Sequence, residues 1–244
     1  MLAPRCGGQI FMMAEGGTEF MQMARRCFDD QEFTVTSCLN FHEVYPFVVS
    51  GGMGWGHSAI SSVWDPADPA RMAPWAQDGR VITSLIKTDT VWQIFLSEGT
   101  GITRQGVKAV KGWPGLKDHI VRVWENDLVI TDIVRHEDTY VVVASGGLEW
   151  EQDWYLDPGY PREMLLQASA EDGMVITEMV EVEGQYLWIT SANTDFSFNY
   201  VETEPTAEFL EMIMAELEKP TGFNGYQLSL IREMQGKVCL VFSR

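Results

Sequence analysis

The 244-residue chain has few basic residues and few cysteines, and this scarcity excludes several classes of function. It carries 17 Lys and Arg residues against 35 Asp and Glu, which gives a formal net charge of −18. Because a phosphate backbone is bound by basic side chains, we expect no nucleic-acid partner. The four cysteines show no CxxC spacing, so the sequence favours buried free thiols and predicts no metal and no cofactor.

Long apolar runs are also missing. No stretch of about 18 consecutive apolar residues occurs, and the apolar part of segment 1–17 is too short for a secretory signal. We therefore expect no membrane association and a soluble, acidic, cytoplasmic protein. The negative charge indicates either a well-solvated, self-repelling surface or a site for a cation or a basic partner.

A single phrase is present five times along the chain. The copies occupy residues 33–50, 81–97, 129–145, 174–191 and 226–243. In each copy a hydroxyl residue precedes a serine by 14 positions, and these hydroxyl residues are Thr36, Thr83, Thr131, Thr177 and Ser229. Such internal repeats outweigh local signals when a fold is predicted.

Each copy has the pattern of a β-hairpin with two accessory elements. Two runs rich in Val, Ile, Thr and aromatic residues flank a polar turn, such as Glu183-Gly184. A weaker strand follows the serine, as at 154–156 and 195–200, and a helix then opens the next repeat. Helical spacing after Thr18, Pro114 and Pro205 predicts three of these helices.

The two ends of the chain complement each other in this pattern. The fifth hairpin stops at Arg244 without a third strand, whereas segment 9–13 precedes the first helix with no hairpin before it. We therefore predict one mainly β domain over 1–244 with short helices, made of five αβββ repeats at 18–66, 67–113, 114–160, 161–204 and 205–244. The repeats would close into a five-bladed β-propeller-like ring, in which the N-terminal strand, 8–14, completes the last blade and leaves no open sheet edge. The alternative is an open solenoid.

Segment 122–147 carries the repeat in its fullest form. Trp124 and Glu125 come before Ile130-Thr131, and Tyr140, Val142, Val143 and Ser145 come after the turn. This phrase resembles the WxxGxxITS…VVMS-type repeat domain found in plant casein-kinase-like proteins and some bacterial proteins, a domain of uncharacterised function. The chain departs from that repeat at Asp132 and Glu178, which replace a serine, and at Ser169 and Cys27, which replace a tryptophan. The resemblance implies a ring-shaped binding module and no particular reaction.

Two loops after the repeated serine differ from their counterparts and are the predicted binding site. One contains Trp55 and His57 in a glycine-rich segment, and the other contains Trp150, Asp153 and Trp154. Aromatic faces beside polar groups suit a sugar, and the same residue types are enriched at protein interfaces. The alternative is that the tryptophans pack between neighbouring blades.

Catalytic motifs are absent, and we predict no catalytic residue. Asp132, Glu178 and Asp153 are the first candidates if axial carboxylates form a glycosidase-type site, which requires a defined separation in one pocket. The repeated hydroxyls either satisfy local backbone groups or line an axial channel. The four histidines show no HxH or HxxxH pair, so they predict no metal site.

The sequence therefore predicts a non-enzymatic binding module built on a five-bladed propeller, which recognises a protein partner through its edge loops. The alternatives are a lectin-like carbohydrate-binding protein and a glycosidase-type enzyme.

Overall fold

The computed structural model of the chain describes residues 8–29, 33–51, 55, 58–63, 79–88, 91–157, 173–194, 199–203, 208, 212–213, 215, 226–234 and 236–243. The fold of this part is mainly β. Its strands are β1 (Gly8–Glu15), β2 (Phe33–Cys38), β3 (Val44–Gly51), β4 (Ser58–Val63), β5 (Val81–Lys87), β6 (Trp92–Ser97), β7 (Arg104–Lys111), β8 (Val129–His136), β9 (Thr139–Gly146), β10 (Glu151–Asp157), β11 (Val175–Val182), β12 (Gln185–Ala192), β13 (Asn199–Thr203), β14 (Gln227–Met234) and β15 (Lys237–Ser243). Its helices are α1 (Gly17–Asp29) and α2 (Gly112–Glu125). Neither of these two helices is long and apolar enough to cross a membrane.

The strands form five antiparallel sheets of three strands each. In strand order they are sheet 1 (β1-β3-β2), sheet 2 (β4-β6-β5), sheet 3 (β7-β9-β8), sheet 4 (β10-β12-β11) and sheet 5 (β13-β15-β14). The second strand of every hairpin lies in the middle, so the five repeated phrases fold into five equivalent hairpins, as predicted.

The third strand of each unit pairs differently from the prediction. The strand after one hairpin joins the next hairpin, as β10 shows by pairing with β12. The predicted closure of the last blade by the N-terminal strand is therefore wrong: β1 pairs with β3, and β13 completes sheet 5. The physical reason lies in α1, because its Phe20 stacks on Tyr45 and meets the edge of Phe47, and so holds the preceding strand against its own hairpin.

A β-bulge interrupts the first strand of every hairpin at the repeated hydroxyl. The register steps from Val35 to Ser37 in β2, and the same step occurs in β5, β8, β11 and β14. One residue of each strand is thus left without a cross-strand partner, and it is the repeated Thr or Ser. At the other end of the hairpin, Glu183 and Gly184 both have positive φ, which fits the predicted two-residue turn.

The two described helices confirm the predictions at Thr18 and Pro114. In α2 the buried residues are Leu116, Ile120 and Val123, at the spacing of one helix face. Of the predicted third helix, positions 208, 212, 213 and 215 are helical. The helices expected in repeats two and four lie outside the described residues.

Five apolar clusters join the sheets to one another. The clusters contain Phe47 with Phe95 between sheets 1 and 2, Ile94 with Val143 between sheets 2 and 3, and Val142 with Leu187 between sheets 3 and 4. They contain Trp188 with Val241 between sheets 4 and 5, and Phe242 with Val48 between sheets 5 and 1. The bulged strands follow the same order, since β2 contacts β5 and β14, and β8 contacts β5 and β11. Each bulged strand therefore has two such neighbours.

Candidate functional site

A glutamine on the third strand links neighbouring sheets. The side chain of Gln152 accepts from the amide of Ile130 at 2.7 Å and donates to its carbonyl oxygen at 2.9 Å, and also donates to Ser191 at 3.0 Å. Gln105 makes the same three bonds to Ile82 and Ser145. The carboxamide replaces a strand partner for one residue of the preceding sheet, so these glutamines hold sheets together.

Gln9 makes the equivalent link between sheet 1 and sheet 5. Its Oε1 accepts from the Leu228 amide at 2.8 Å, and its Nε2 donates to the Leu228 carbonyl oxygen at 3.1 Å and to Ser50 at 3.0 Å. The N-terminal strand therefore does reach the last sheet, although through one side chain and not through strand pairing.

The repeated hydroxyls are buried and bonded to each other. Four of the predicted pairs meet within hydrogen-bond distance: Thr36 with Ser50, Thr131 with Ser145, Thr177 with Ser191, and Ser229 with Ser243. Several also donate to a strand carbonyl, as Ser229 does to Val241. These contacts favour the structural interpretation of the hydroxyls over a water-lined channel.

In three of the five hairpins, the residue after the bulge hydroxyl accepts a hydrogen bond from a backbone amide of the neighbouring sheet. Asp132 Oδ2 accepts from the Leu85 amide at 2.8 Å, and Glu178 Oε2 accepts from the Ile133 amide at 3.2 Å. Ser37 accepts from Ile231 in the same manner. Side-chain oxygens here satisfy backbone donors that have no strand partner on that side.

Arg232 joins the two carboxylates into a buried triad. Its Nε donates to Glu178 Oε1 at 2.8 Å and its Nη2 to Glu178 Oε2 at 2.7 Å, which is a two-pronged contact. Nη2 also donates to Asp132 Oδ1 at 2.6 Å. The exposed fractions are 4% for Asp132, 0% for Glu178 and 9% for Arg232, so three charged groups from three sheets meet away from solvent.

Burial dominates the protonation of Asp132. Loss of solvent raises the pKa of this carboxyl to about 7, against the opposing effect of the Arg232 cation, and the Glu178 charge adds to the rise. The two carboxylates in turn raise the pKa of Arg232, which stays charged. Asp132 therefore holds its proton below about pH 7 and releases it above that pH.

A cavity of 460 Å³ opens at the hairpin ends of the five bulged strands, and we call it the hairpin-end cavity. Its lining includes Leu39, Ile86, Val134, Val180 and Arg232, which all lie three residues after the bulge hydroxyl. Four of these residues are aliphatic and the fifth is the arginine of the triad. Because Arg232 lines the cavity while it holds Asp132 and Glu178, the triad lies next to the cavity lining.

The next position along each strand places charge on the same cavity. These residues are Asn40, Lys87, Arg135, Glu181 and Glu233. Arg135 Nη1 forms an ion pair with Glu181 Oε1 at 3.0 Å. Asn40 donates from Nδ2 to the Lys87 carbonyl oxygen at 3.0 Å, and Lys87 donates from Nζ to the Thr88 carbonyl oxygen at 2.7 Å. The cavity thus combines aliphatic walls with fixed charges of both signs.

The predicted site residues of sheet 4, Trp150, Asp153 and Trp154, lie at the other end of the sheets. In sheet 4 the loop that carries them leads into β10, whose first residue, Glu151, pairs with Ala192, whereas the cavity is next to the turn at Glu183. Trp150 is half-buried and Asp153 is exposed, and Asp153 Oδ1 accepts from the Trp154 amide at 2.7 Å.

Trp154 contacts helix α2 of the neighbouring unit. Its ring lies edge-on to Trp113 at 5.5 Å between centroids, and the ammonium of Lys117 lies 5.7 Å from the ring centroid. It also packs against the apolar cluster between sheets 3 and 4. This tryptophan therefore follows the packing alternative. Trp55 is half-buried and His57 lies outside the described residues, so the loop surface stays a prediction.

Among the described residues, no group of three or more His, Cys, Asp and Glu side chains is placed to hold a metal ion. The described cysteines, Cys27, Cys38 and Cys239, form no disulfide, and burial raises the pKa of Cys38 and of Cys239 to about 12. Neither of these two thiols is therefore ionised at neutral pH, as a nucleophile would need to be.

Arg232 is the residue that sequence reasoning missed. Aligned on the bulge hydroxyl, the position holds Leu39, Ile86, Val134 and Val180 in the other copies. A single cation among aliphatic equivalents was a visible signal, and Asp132 and Glu178 were already distinguished as departures from serine. Their meeting on one arginine requires the spatial order of the sheets.

Comparison with known families places the chain in one of them. Residues 70–211 match the model of a family described as a domain of unknown function, DUF7477. No curated protein and no solved structure matched the chain. The match covers more than half of the sequence, and the chain belongs to this family.

Proposed function

We propose that the chain is a non-enzymatic binding module, a five-bladed propeller-like ring whose hairpin-end cavity receives a small ligand. The ring is supported by the order of contacts between sheets. Besides the clusters that join successive sheets, one cluster joins sheet 5 to sheet 1 through Phe242 and Val48. Gln9 and Leu228 reinforce the same junction with hydrogen bonds.

The cavity carries the functional proposal. A 460 Å³ space falls in the range of small-molecule sites, which combine apolar walls with a few polar groups. All five bulged strands contribute to it. Because each strand presents a different side chain at equivalent positions, one repeated scaffold gives an asymmetric cavity, as selective binding requires.

Binding is favoured over acid/base chemistry by the surroundings of the carboxylates. Asp132 and Glu178 lie close together, as a glycosidase pair would, and the pKa of Asp132 is high enough for a proton donor. However, Arg232 and the amides of Leu85, Ile133 and Met179 occupy their oxygens. Neither carboxylate lines the cavity. The triad therefore serves to hold sheets together.

The test is a thermal-shift screen of the full chain against sugars, amino acids, organic acids, nucleotides and calcium. A compound that binds only the folded state raises the melting temperature. We expect at least one compound to do so, and its effect to be lost in Asn40→Trp, which places a bulky ring on the cavity lining, and kept in Trp150→Ala. Loss in Trp150→Ala with retention in Asn40→Trp would instead assign binding to the loops at the opposite end. A panel without any shift would contradict small-molecule binding.

A further inference from the structure

The charged residues that follow the aliphatic position around the hairpin-end cavity are sorted by sign. Lys87 and Arg135 belong to β5 and β8, which contact each other, and Glu181 and Glu233 belong to β11 and β14, which also contact each other. Asn40 of β2 stands between the anionic and the cationic strands, because β2 contacts both β14 and β5. At this position along the strands the two cations are neighbours and the two anions are neighbours, while Glu137 directly after β8 adds a further anion to the lining.

The cationic and anionic strands meet at two places, and among the described residues an ion pair joins them at one of these. Where β8 meets β11, Arg135 pairs with Glu181 at 3.0 Å, and Arg135 Nε is also held by the Glu137 carbonyl oxygen. Where β14 and β5 flank β2, Glu233 and Lys87 are separated by Asn40. The Lys87 ammonium donates to the Thr88 carbonyl oxygen, and its three donors leave capacity for a ligand oxygen.

The lining next to these charges is aliphatic. Leu39, Ile86 and Val180 directly precede Asn40, Lys87 and Glu181, and Met179 also lines the cavity. Ile86 and Val180 are 3% and 5% exposed, so each presents only a small apolar area to the cavity. A ligand with both charges on one end and a branched hydrocarbon on the other would satisfy both zones. A ligand with a single charge would pair with only one of the two protein charges. It would leave the other without a partner and lie near a charge of its own sign.

Arg232 is a weaker anion receptor than its charge suggests. Its Nε and Nη2 donors are taken by Glu178 and Asp132, and Nη1 donates to the Ile231 carbonyl oxygen at 2.9 Å. A ligand carboxylate there would also face two carboxylates of the protein. Recognition of charge therefore belongs to the polar set at Asn40, Lys87 and Glu233.

Resting on the proposed binding function, we infer that the hairpin-end cavity binds a small zwitterion with an aliphatic body, an α-amino acid of the leucine type. Its carboxylate contacts Lys87, its ammonium contacts Glu233, and its side chain lies among Leu39, Ile86 and Val180. The ligand has no net charge, so the overall charge of −18 does not repel it as it would an anion.

The experiment is isothermal titration calorimetry of the full chain with four probes: L-leucine, 3-methylbutylamine, 4-methylpentanoate and glycine. The second probe lacks the carboxylate, the third lacks the ammonium, and glycine lacks the aliphatic body. We expect leucine to bind, and each of the other three to bind at least about tenfold more weakly, because each loses one charge-assisted contact or the apolar contact.

Two variants and two matched controls locate the site. Lys87→Gln and Glu233→Gln should each weaken leucine binding about tenfold. Lys108→Gln on β7 and Glu151→Gln on β10 remove the same charges from exposed positions outside the cavity and should leave binding unchanged.

Three results would overturn the inference: no heat with leucine, equal binding of the amine or the acid, or equal weakening by the control variants. A different compound that raises the melting temperature, with the effect lost in Asn40→Trp, would then preserve the proposed function while the zwitterion assignment fails. If no compound acts through the cavity, both fail together.

Discussion

At the scale of single residues, the buried triad concentrates the unusual chemistry of the molecule. Glu178 accepts hydrogen bonds from Nε and Nη2 of Arg232 and from two backbone amides. Among the described residues, Asp132 accepts only from Nη2, which also donates to Glu178, and from one backbone amide. Asp132 is thus the less completely stabilised carboxylate, and burial raises its pKa to about 7. Its ionisation near neutral pH therefore works against folding.

The pH dependence of stability should reveal this group. The pKa of Asp132 is raised from its ordinary value of 3.8, so between about pH 4 and pH 7 only the folded state holds the proton. The free energy of unfolding should fall as the pH rises through this interval and stay level with respect to this group above it. Urea unfolding at pH 5, 6, 7 and 8 measures the slope, which should be shallower in Asp132→Asn.

Asp118→Asn provides the matched control, since it removes the same charge from an exposed position on α2. It should keep the wild-type slope. Asp132→Asn should also be less stable by about 1 to 3 kcal/mol at low pH. The side-chain nitrogen of the asparagine would face a hydrogen-bond donor where the carboxyl has an acceptor oxygen. Equal slopes in Asp132→Asn and in the wild-type protein would refute the assignment.

At the scale of elements, the glutamine links decide how one sheet meets the next. Gln152 also accepts from the indole nitrogen of Trp124 at 3.2 Å, so helix α2, β8 and β12 converge on one side chain. The tryptophan of the repeat is therefore a structural residue whose polar atom is satisfied by the following sheet.

Gln152→Ala should lower the free energy of unfolding by about 2 to 3 kcal/mol, because it leaves the amide and carbonyl of Ile130 without this partner. Gln185→Ala, at the start of β12, removes the same side chain where no such link exists among the described contacts, and should change stability by less than about 0.5 kcal/mol. Urea unfolding at pH 7 compares them. Similar values for the two variants would show that the link contributes nothing.

Sequence periodicity was sufficient for the hairpins but not for their third strands. Alternation and turn residues are local, so the strand pairs and the turn at Glu183 and Gly184 follow from the sequence. The partner of β1 depends on where α1 packs, which local pattern does not encode. The edge loops with Trp150 and Trp154 were predicted as the binding site from their composition. The hairpin-end cavity is lined by five separate strands and therefore has no continuous sequence signature.

At the scale of the whole molecule, the proposed ring makes every sheet depend on two others. The cluster between sheets 5 and 1 includes Phe242 and Val48, and Arg232 of sheet 5 neutralises carboxylates of sheets 3 and 4. Removal of sheet 5 would therefore expose two apolar faces and leave Asp132 and Glu178 without their cation.

A chain that ends at residue 194 lacks sheet 5, and we expect it to lose the cooperative unfolding transition of the full chain. An open array of repeats would lose only its terminal contribution and keep a transition. Circular dichroism during urea unfolding distinguishes these outcomes. Deletion of residues 1–7, which leaves β1 and Gln9 in place, is the control and should unfold as the full chain does. A sigmoidal transition in the shortened chain would argue against the ring.

The triad has a further consequence for how the repeats can be arranged. The five hairpins are similar, and three of their junctions carry the same glutamine link. These links alone would tolerate exchange of hairpins within a chain or between two chains. Asp132, Glu178 and Arg232 each occur in one copy only, and any other order would bury an uncompensated charge. We therefore expect the triad to specify one arrangement of the sheets and to disfavour assemblies in which hairpins are exchanged.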